Sequence, residues 1–180
     1  MSSLGWILKL NFGYHNKNYK SVNMENYRIT IPLNSPVEKV FGALTNDIPL
    51  WWTEMFEGIS NKQGESFTIH FGESVFKQFR VQELEPNTKA VWYVEDSLLD
   101  IPSLENKKEW IGTTIIWEII KKNNDTELQL THMGLQPDVE CYQICSDGWR
   151  QFTASLKSYV ETGVGTPYLN SHEATTEITQ

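Results

Sequence analysis

Apolar and polar residues alternate where the chain first shows a pattern: Tyr27, Ile29, Ile31 and Leu33 are separated by Arg28, Thr30 and Pro32. A period of two predicts a half-buried strand, and Pro32 places it at a sheet edge or at the strand's end. Ser35-Pro36-Val37-Glu38 then predicts a helix start, with Ser35 as cap, Pro36 in the first turn and Glu38 able to bond back to the cap residue. Val37, Val40, Phe41 and Leu44 fall on one face of that helix. Asp47-Ile48-Pro49 interrupts it, and Leu50-Trp51-Trp52 is expected to begin a second short helix.

A run of strand patterns follows. Phe67, Ile69 and Phe71 share a face in 66–71, Gly72-Glu73-Ser74 turns into 75–84, and Pro86-Asn87 turns into 89–95. The stretch 96–108 opens with acidic residues, contains a proline and ends in charge, so a long surface loop is expected there. Ile115, Trp117 and Ile119 alternate, and beyond the Asn123-Asn124-Asp125 turn so do Leu128, Leu130 and His132. Turns this short predict an antiparallel meander.

From Pro137-Asp138 onward, Tyr142, Cys145, Trp149, Phe152, Leu156 and Val160 make an unbroken stripe at spacings of three and four, closed by Gly163 as a C-terminal cap. A helix of about 24 residues runs roughly 36 Å, and it needs an apolar partner surface, which only the sheet can offer. The expected fold class is α+β. A curved antiparallel sheet of about six to seven strands wraps around a long C-terminal helix, with two short helices after the first strand.

Length and composition fit one domain with a core of its own: 180 residues, 39% hydrophobic and 12% aromatic. Residues 1–25 lack sustained periodicity and are expected to form a flexible arm, with Met24 a possible start of translation. The domain is expected over 26–168 and a flexible tail over 169–180. Fifteen basic against 23 acidic residues give a net charge of -8, which argues against nucleic acid as a partner. Leu4-Gly5-Trp6-Ile7-Leu8 is too short to span a membrane, with neither a basic stretch before it nor a small-residue cleavage site after it. Cys141 and Cys145 read as buried free thiols, which fits a cytoplasmic, reducing setting.

Several short sequences narrow the fold further. Glu109-Trp110-Ile111-Gly112-Thr113, Leu128-Gln129-Leu130-Thr131-His132-Met133-Gly134-Leu135, Gly148-Trp149, Ser155-Leu156-Lys157 and Glu161-Thr162-Gly163-Val164-Gly165 occur in an order and spacing similar to the Hsp90-ATPase-activator-like branch of the SRPBCC (START-like) superfamily. The resemblance covers roughly residues 26 to 168. It implies the helix-grip fold, with a cavity between sheet and helix that often takes an apolar or aromatic small molecule. The branch takes its name from a co-chaperone in which a separate chaperone-binding domain precedes this one. An arm of 25 residues is too short to be such a domain, so the resemblance implies the fold more than a co-chaperone role.

Candidate chemistry is sparse. His15, His70, His132 and His172 show no metal-ligand spacing, and no nucleophile elbow, phosphate loop or calcium loop occurs, so no cofactor, metal or catalytic residue is assigned. Strand parity turns His132 toward the concave face, either bonded to a neighbour at a cavity rim or in contact with a ligand. Tryptophans exceed what a minimal core requires and suit a flat apolar pocket. The expected ligand-binding residues on the strands are Phe67, Ile69, Phe79, Trp92, Trp117 and His132. Trp52, Trp110, Trp149 and Phe152 are expected to join them. The sequence thus points to binding of a small hydrophobic or aromatic molecule. An enzyme acting on such a molecule (a cyclase, hydrolase or isomerase) and a chaperone-interacting module are the alternatives.

Overall fold

The computed structural model describes residues 25–170; most of the expected N-terminal arm, Met24 included, and residues 171–180 of the expected tail lie outside the described residues. Among the described residues there are seven strands: β1 (Tyr27–Leu33), β2 (Phe56–Gly58), β3 (Ser66–His70), β4 (Val75–Glu85), β5 (Lys89–Leu99), β6 (Thr114–Lys122) and β7 (Asp125–Met133). They form one antiparallel sheet in the order β1-β7-β6-β5-β4-β3-β2. Helix α1 (Val37–Thr45) follows β1, and helix α2 (Tyr142–Thr162) ends the domain. The chain is a helix-grip α+β fold, as its periodicities and the family resemblance together predict.

Parity explains which side chains the sheet buries. Ile115, Trp117 and Ile119 on β6 and Leu128, Leu130 and His132 on β7 all point inward and are buried. Cys145, Trp149, Leu156 and Val160 of α2 are buried against them, with Tyr142 and Phe152 half-buried beside them. Gly163 closes α2 in the left-handed region at φ 86°, where glycine has no Cβ to clash.

Three local expectations need correction. Ser35 does not cap α1: Pro36 occupies the cap position, and no side chain bonds the helix start. The buried Ser35 hydroxyl instead donates to the Val160 carbonyl at 3.1 Å, and Thr126 donates to the Ser35 carbonyl at 2.7 Å, tying β1 to the end of α2 and to β7. The second short helix is a 3-10 turn over Ile48–Leu50, so the Ile48-Pro49 pair opens it rather than separating it from α1. The C-terminal helix runs 21 residues from Tyr142, because Pro137 to Cys141 form turns.

The largest difference is in β5. The strand continues through Asp96 to Leu99, where the sequence pattern predicts a surface loop. Phe79 pairs with Val94 but Gln78 pairs with Asp96, so Glu95 is an extra residue, a β-bulge that reverses the alternation. Beyond it Ser97 and Leu99 face the core, and the true loop begins at Asp100. Past α2 the chain stays docked: the Tyr168 amide donates to the Trp52 carbonyl at 2.9 Å, and the Glu54 amide to the Tyr168 carbonyl at 3.1 Å.

Candidate ligand cavity

Large aromatics fill the space under α2 as one connected cluster. Trp52 lies 5.2 Å from Trp149, 5.9 Å from Trp92 and 5.7 Å from Phe79 between ring centroids. Trp149 stacks on Trp110 at 5.7 Å and meets Trp117 edge-on at 5.8 Å. Offset and edge-on contacts of this kind add to the area the rings bury. The cluster is not wholly close-packed. At its open side, between α2, the start of β4 and the loop after β5, lies a cavity of about 140 Å³.

Trp52, Trp110, Trp149 and Phe152 line that cavity, and so do Phe71, Val75, Leu99, Ile101, Ile144, Cys145, Gly148 and Lys77. Four of the ten ligand-binding residues expected from sequence therefore meet there. The other six, Phe67, Ile69, Phe79, Trp92, Trp117 and His132, are buried behind that wall. Gly148 is the gap in the helix face: a Cβ at this position would meet no atom within 4 Å. Glycine inside a helix costs about 1 kcal/mol relative to alanine, so its presence on the cavity wall keeps space open at the expense of helix stability.

The roof is held by carboxylates. Glu109, in the loop after β5, accepts the backbone amides of Glu140 and Cys141 at 3.0 and 2.7 Å, just ahead of α2. Glu140 returns the tie by accepting the amides of Glu105 and Asn106. These bonds tie the turn that leads into α2 to the loop after β5, and no side chain caps the helix itself.

His132 is fully buried, and both ring nitrogens are engaged. The Trp149 indole N–H donates to Nδ1 at 3.1 Å, which leaves the proton on Nε2, 3.0 Å from the Thr113 hydroxyl. Thr113 in turn donates to the Trp110 carbonyl at 2.6 Å. Burial, with the charge of Lys77 as a smaller contribution, pushes the imidazole pKa down to about 3. His132 is thus a neutral brace that orients two cavity-wall indoles.

Lys77 is the residue that the sequence reading passed over. It shares parity with Phe79 and Val81 on β4, so it points into the molecule, and it is 5% exposed. Its ammonium sits 4.3 Å from the Trp110 ring centroid and 5.7 Å from that of Phe71. Burial lowers its pKa from 10.5 to about 8, against the opposing influence of Cys145 and Cys141. A charged residue on the inward parity of a strand was the available signal.

Cys141 and Cys145 are free and buried, as expected. Cys145 accepts the Trp110 indole N–H at 2.9 Å, and a hydrogen bond from Cys141 holds its thiol below the ordinary pKa. A second, larger depression of about 570 Å³ lies beside β2, bordered by Glu54, Glu57, Glu73 and His70. It is open and mixed in character, unlike the apolar enclosure expected of a site for a small hydrophobic molecule. Among the described residues no group of His, Cys, Asp and Glu could hold a metal ion, and no helix is long and apolar enough to cross a membrane.

A seven-stranded sheet gripping a C-terminal helix over an aromatic cavity defines a START-like protein. The model of the family described as "Activator of Hsp90 ATPase homolog 1-like protein" matches residues 34–161, and the chain belongs to that family. Among solved structures it is similar to the Aha1 dimer from Colwellia psychrerythraea, with 27% identity, TM-score 0.65, and coverage of 79% of this chain and 100% of that one. DynU16, a protein in the dynemicin biosynthetic locus, aligns with TM-score 0.63 and 20% identity over 81% of this chain and 51% of its own. CalU16 from Micromonospora echinospora aligns with TM-score 0.56 and 16% identity over 77% of this chain and 75% of its own. At these identities the last two show the fold alone. No curated protein matches the chain.

Proposed function

We propose that this protein binds a small, largely apolar molecule, aromatic by preference, in the cavity between α2, β4 and the loop after β5. The observation that carries the reading is the unfilled space at Gly148, walled by Trp52, Trp110, Trp149 and Phe152. An apolar cavity of about 150 Å³ accommodates benzene, so the size suits a single aromatic ring. Rigid aromatic walls lose little rotamer freedom on binding. Catalysis needs convergent titratable groups; His132 stands behind Trp149 with both nitrogens bonded, and the buried Cys145 thiol at the cavity is engaged by the Trp110 indole N–H, which leaves Lys77 without a free titratable partner there. That arrangement favours a binder over an enzyme. Buried free thiols at Cys141 and Cys145 support a cytoplasmic setting.

Tryptophan fluorescence titrated with monocyclic aromatics tests the reading. A saturable change is expected in the natural chain and its loss in Gly148→Leu, a variant that fills the cavity and favours the helix. Saturation unaffected by Gly148→Leu places binding elsewhere, and no saturation in either removes the proposal. A second reading, an Hsp90-interacting module, draws on the family and on the Colwellia neighbour. It predicts stimulation of the chaperone's ATPase that Gly148→Leu leaves intact.

A further inference from the structure

We propose that the cavity selects aromatic molecules bearing one anionic oxygen group, a carboxylate or phenolate, and that the Lys77 ammonium receives it. This rests on the binding reading above and supplies the ligand's chemistry.

Lysines normally keep their ammonium in water while burying only the stem. Lys77 departs from that habit: the whole side chain lies on the core side of β4, lining the cavity, at 5% exposure. Among the described residues no carboxylate forms an ion pair with it, and no hydrogen bond reaches its ammonium. Its observed partners are the ring faces of Trp110 and Phe71. Such faces attract a cation but offset only part of its lost hydration. Directly across the ladder Ser97 pairs in register with Lys77, and its fully buried hydroxyl also has no hydrogen-bond partner among the described residues.

The groups that act on Lys77 from neighbouring elements include no carboxylate, and burial outweighs the two thiols that favour its charge. From α2 come the thiols of Cys145 and Cys141, and from β7 the neutral His132. A buried charge is stable only when paired, and losing its partner is costly. A ligand anion entering past Ile101 and Ile144 completes the pair, while the apolar walls hold the ring. Lys77 then fixes orientation as well as affinity, because among the described residues it is the one charged side chain in an otherwise apolar lining.

Benzoate and benzamide, alike in shape and different in charge, separate this inference from the binding reading. Calorimetric titration of the full chain at pH 7 is expected to show benzoate binding at least tenfold tighter than benzamide. Lys77→Met, close in volume, is expected to abolish that preference while still binding benzamide. In the natural chain, benzoate affinity is expected to fall as the pH rises beyond about 8, while benzamide affinity stays level; this holds the test even if the variant does not fold. Equal affinity for the two ligands, or a preference that survives both Lys77→Met and high pH, overturns the inference and leaves the binding reading standing. Failure of both ligands to bind either protein overturns both.

Discussion

The imidazole of His132 and the ammonium of Lys77 are both buried near Trp110, yet only one has partners on each side. His132 accepts from Trp149 and faces Thr113, so removing its ring leaves the buried Trp149 indole N–H unsatisfied, takes one bond from the Thr113 hydroxyl and opens a void. His132→Ala is expected to cost about 3 kcal/mol at pH 7. The pH dependence has a definite sign. With a folded pKa of about 3 against an ordinary 6.5, the unfolded chain takes up a proton that the native chain refuses. Stability from this group is present above 6.5 and is lost as the pH falls from 6.5 toward 3, by up to roughly 1.4 kcal/mol per pH unit. Urea melts at pH 7, 5 and 4 should therefore show the gap between natural chain and variant narrowing with acid; a constant gap contradicts the assignment. Inward parity made His132 visible in the sequence, but not that Trp149 and Thr113 would use both nitrogens, because those contacts span β7, α2 and the loop after β5. Lys77 is equally visible by parity, but its residue type argues the other way, because lysine normally implies solvent.

Elements were most legible where turns are short and patterns unbroken. The β6–β7 pair and the α2 stripe follow directly from alternation and from 3.6-residue spacing. The bulge at Glu95 hid the end of β5, since one extra residue exchanges the two faces of everything after it. Ser35 looked like a cap because capping residues and buried linking residues are chemically the same; only the backbone decides, and it gives Pro36 the cap position. The two variants Leu156→Ala and Ser35→Ala now test how α2 is held. Leu156 is fully buried in the grip of the sheet, and its truncation is expected to cost about 2–5 kcal/mol. Ser35→Ala removes one hydroxyl bond to Val160 and is expected to cost about 1 kcal/mol. Urea melts giving equal, negligible losses contradict a gripped helix.

At the scale of the whole molecule, sheet and helix close on one another almost completely, and most of the aromatic excess proves to be core. Trp92 and Trp117 bury their entire side chains, and their indole N–H groups lack hydrogen-bond partners among the described residues. Ring volume, more than hydrogen bonding, puts them there. What the sequence could not reveal is where packing stops, because a 140 Å³ space depends on how three elements meet. Gly148, on the helix face, is where that space touches the pattern. Methyl-resolved NMR of the full chain, titrated with benzoate, tests the central claim most directly. The isoleucine methyls of Ile101 and Ile144 at the cavity are expected to shift saturably while those of Ile31 and Ile119 stay fixed, and Gly148→Leu is expected to abolish the shifts. Shifts confined to the Met55 methyl beside the open depression, or no saturable shift at all, contradict the account.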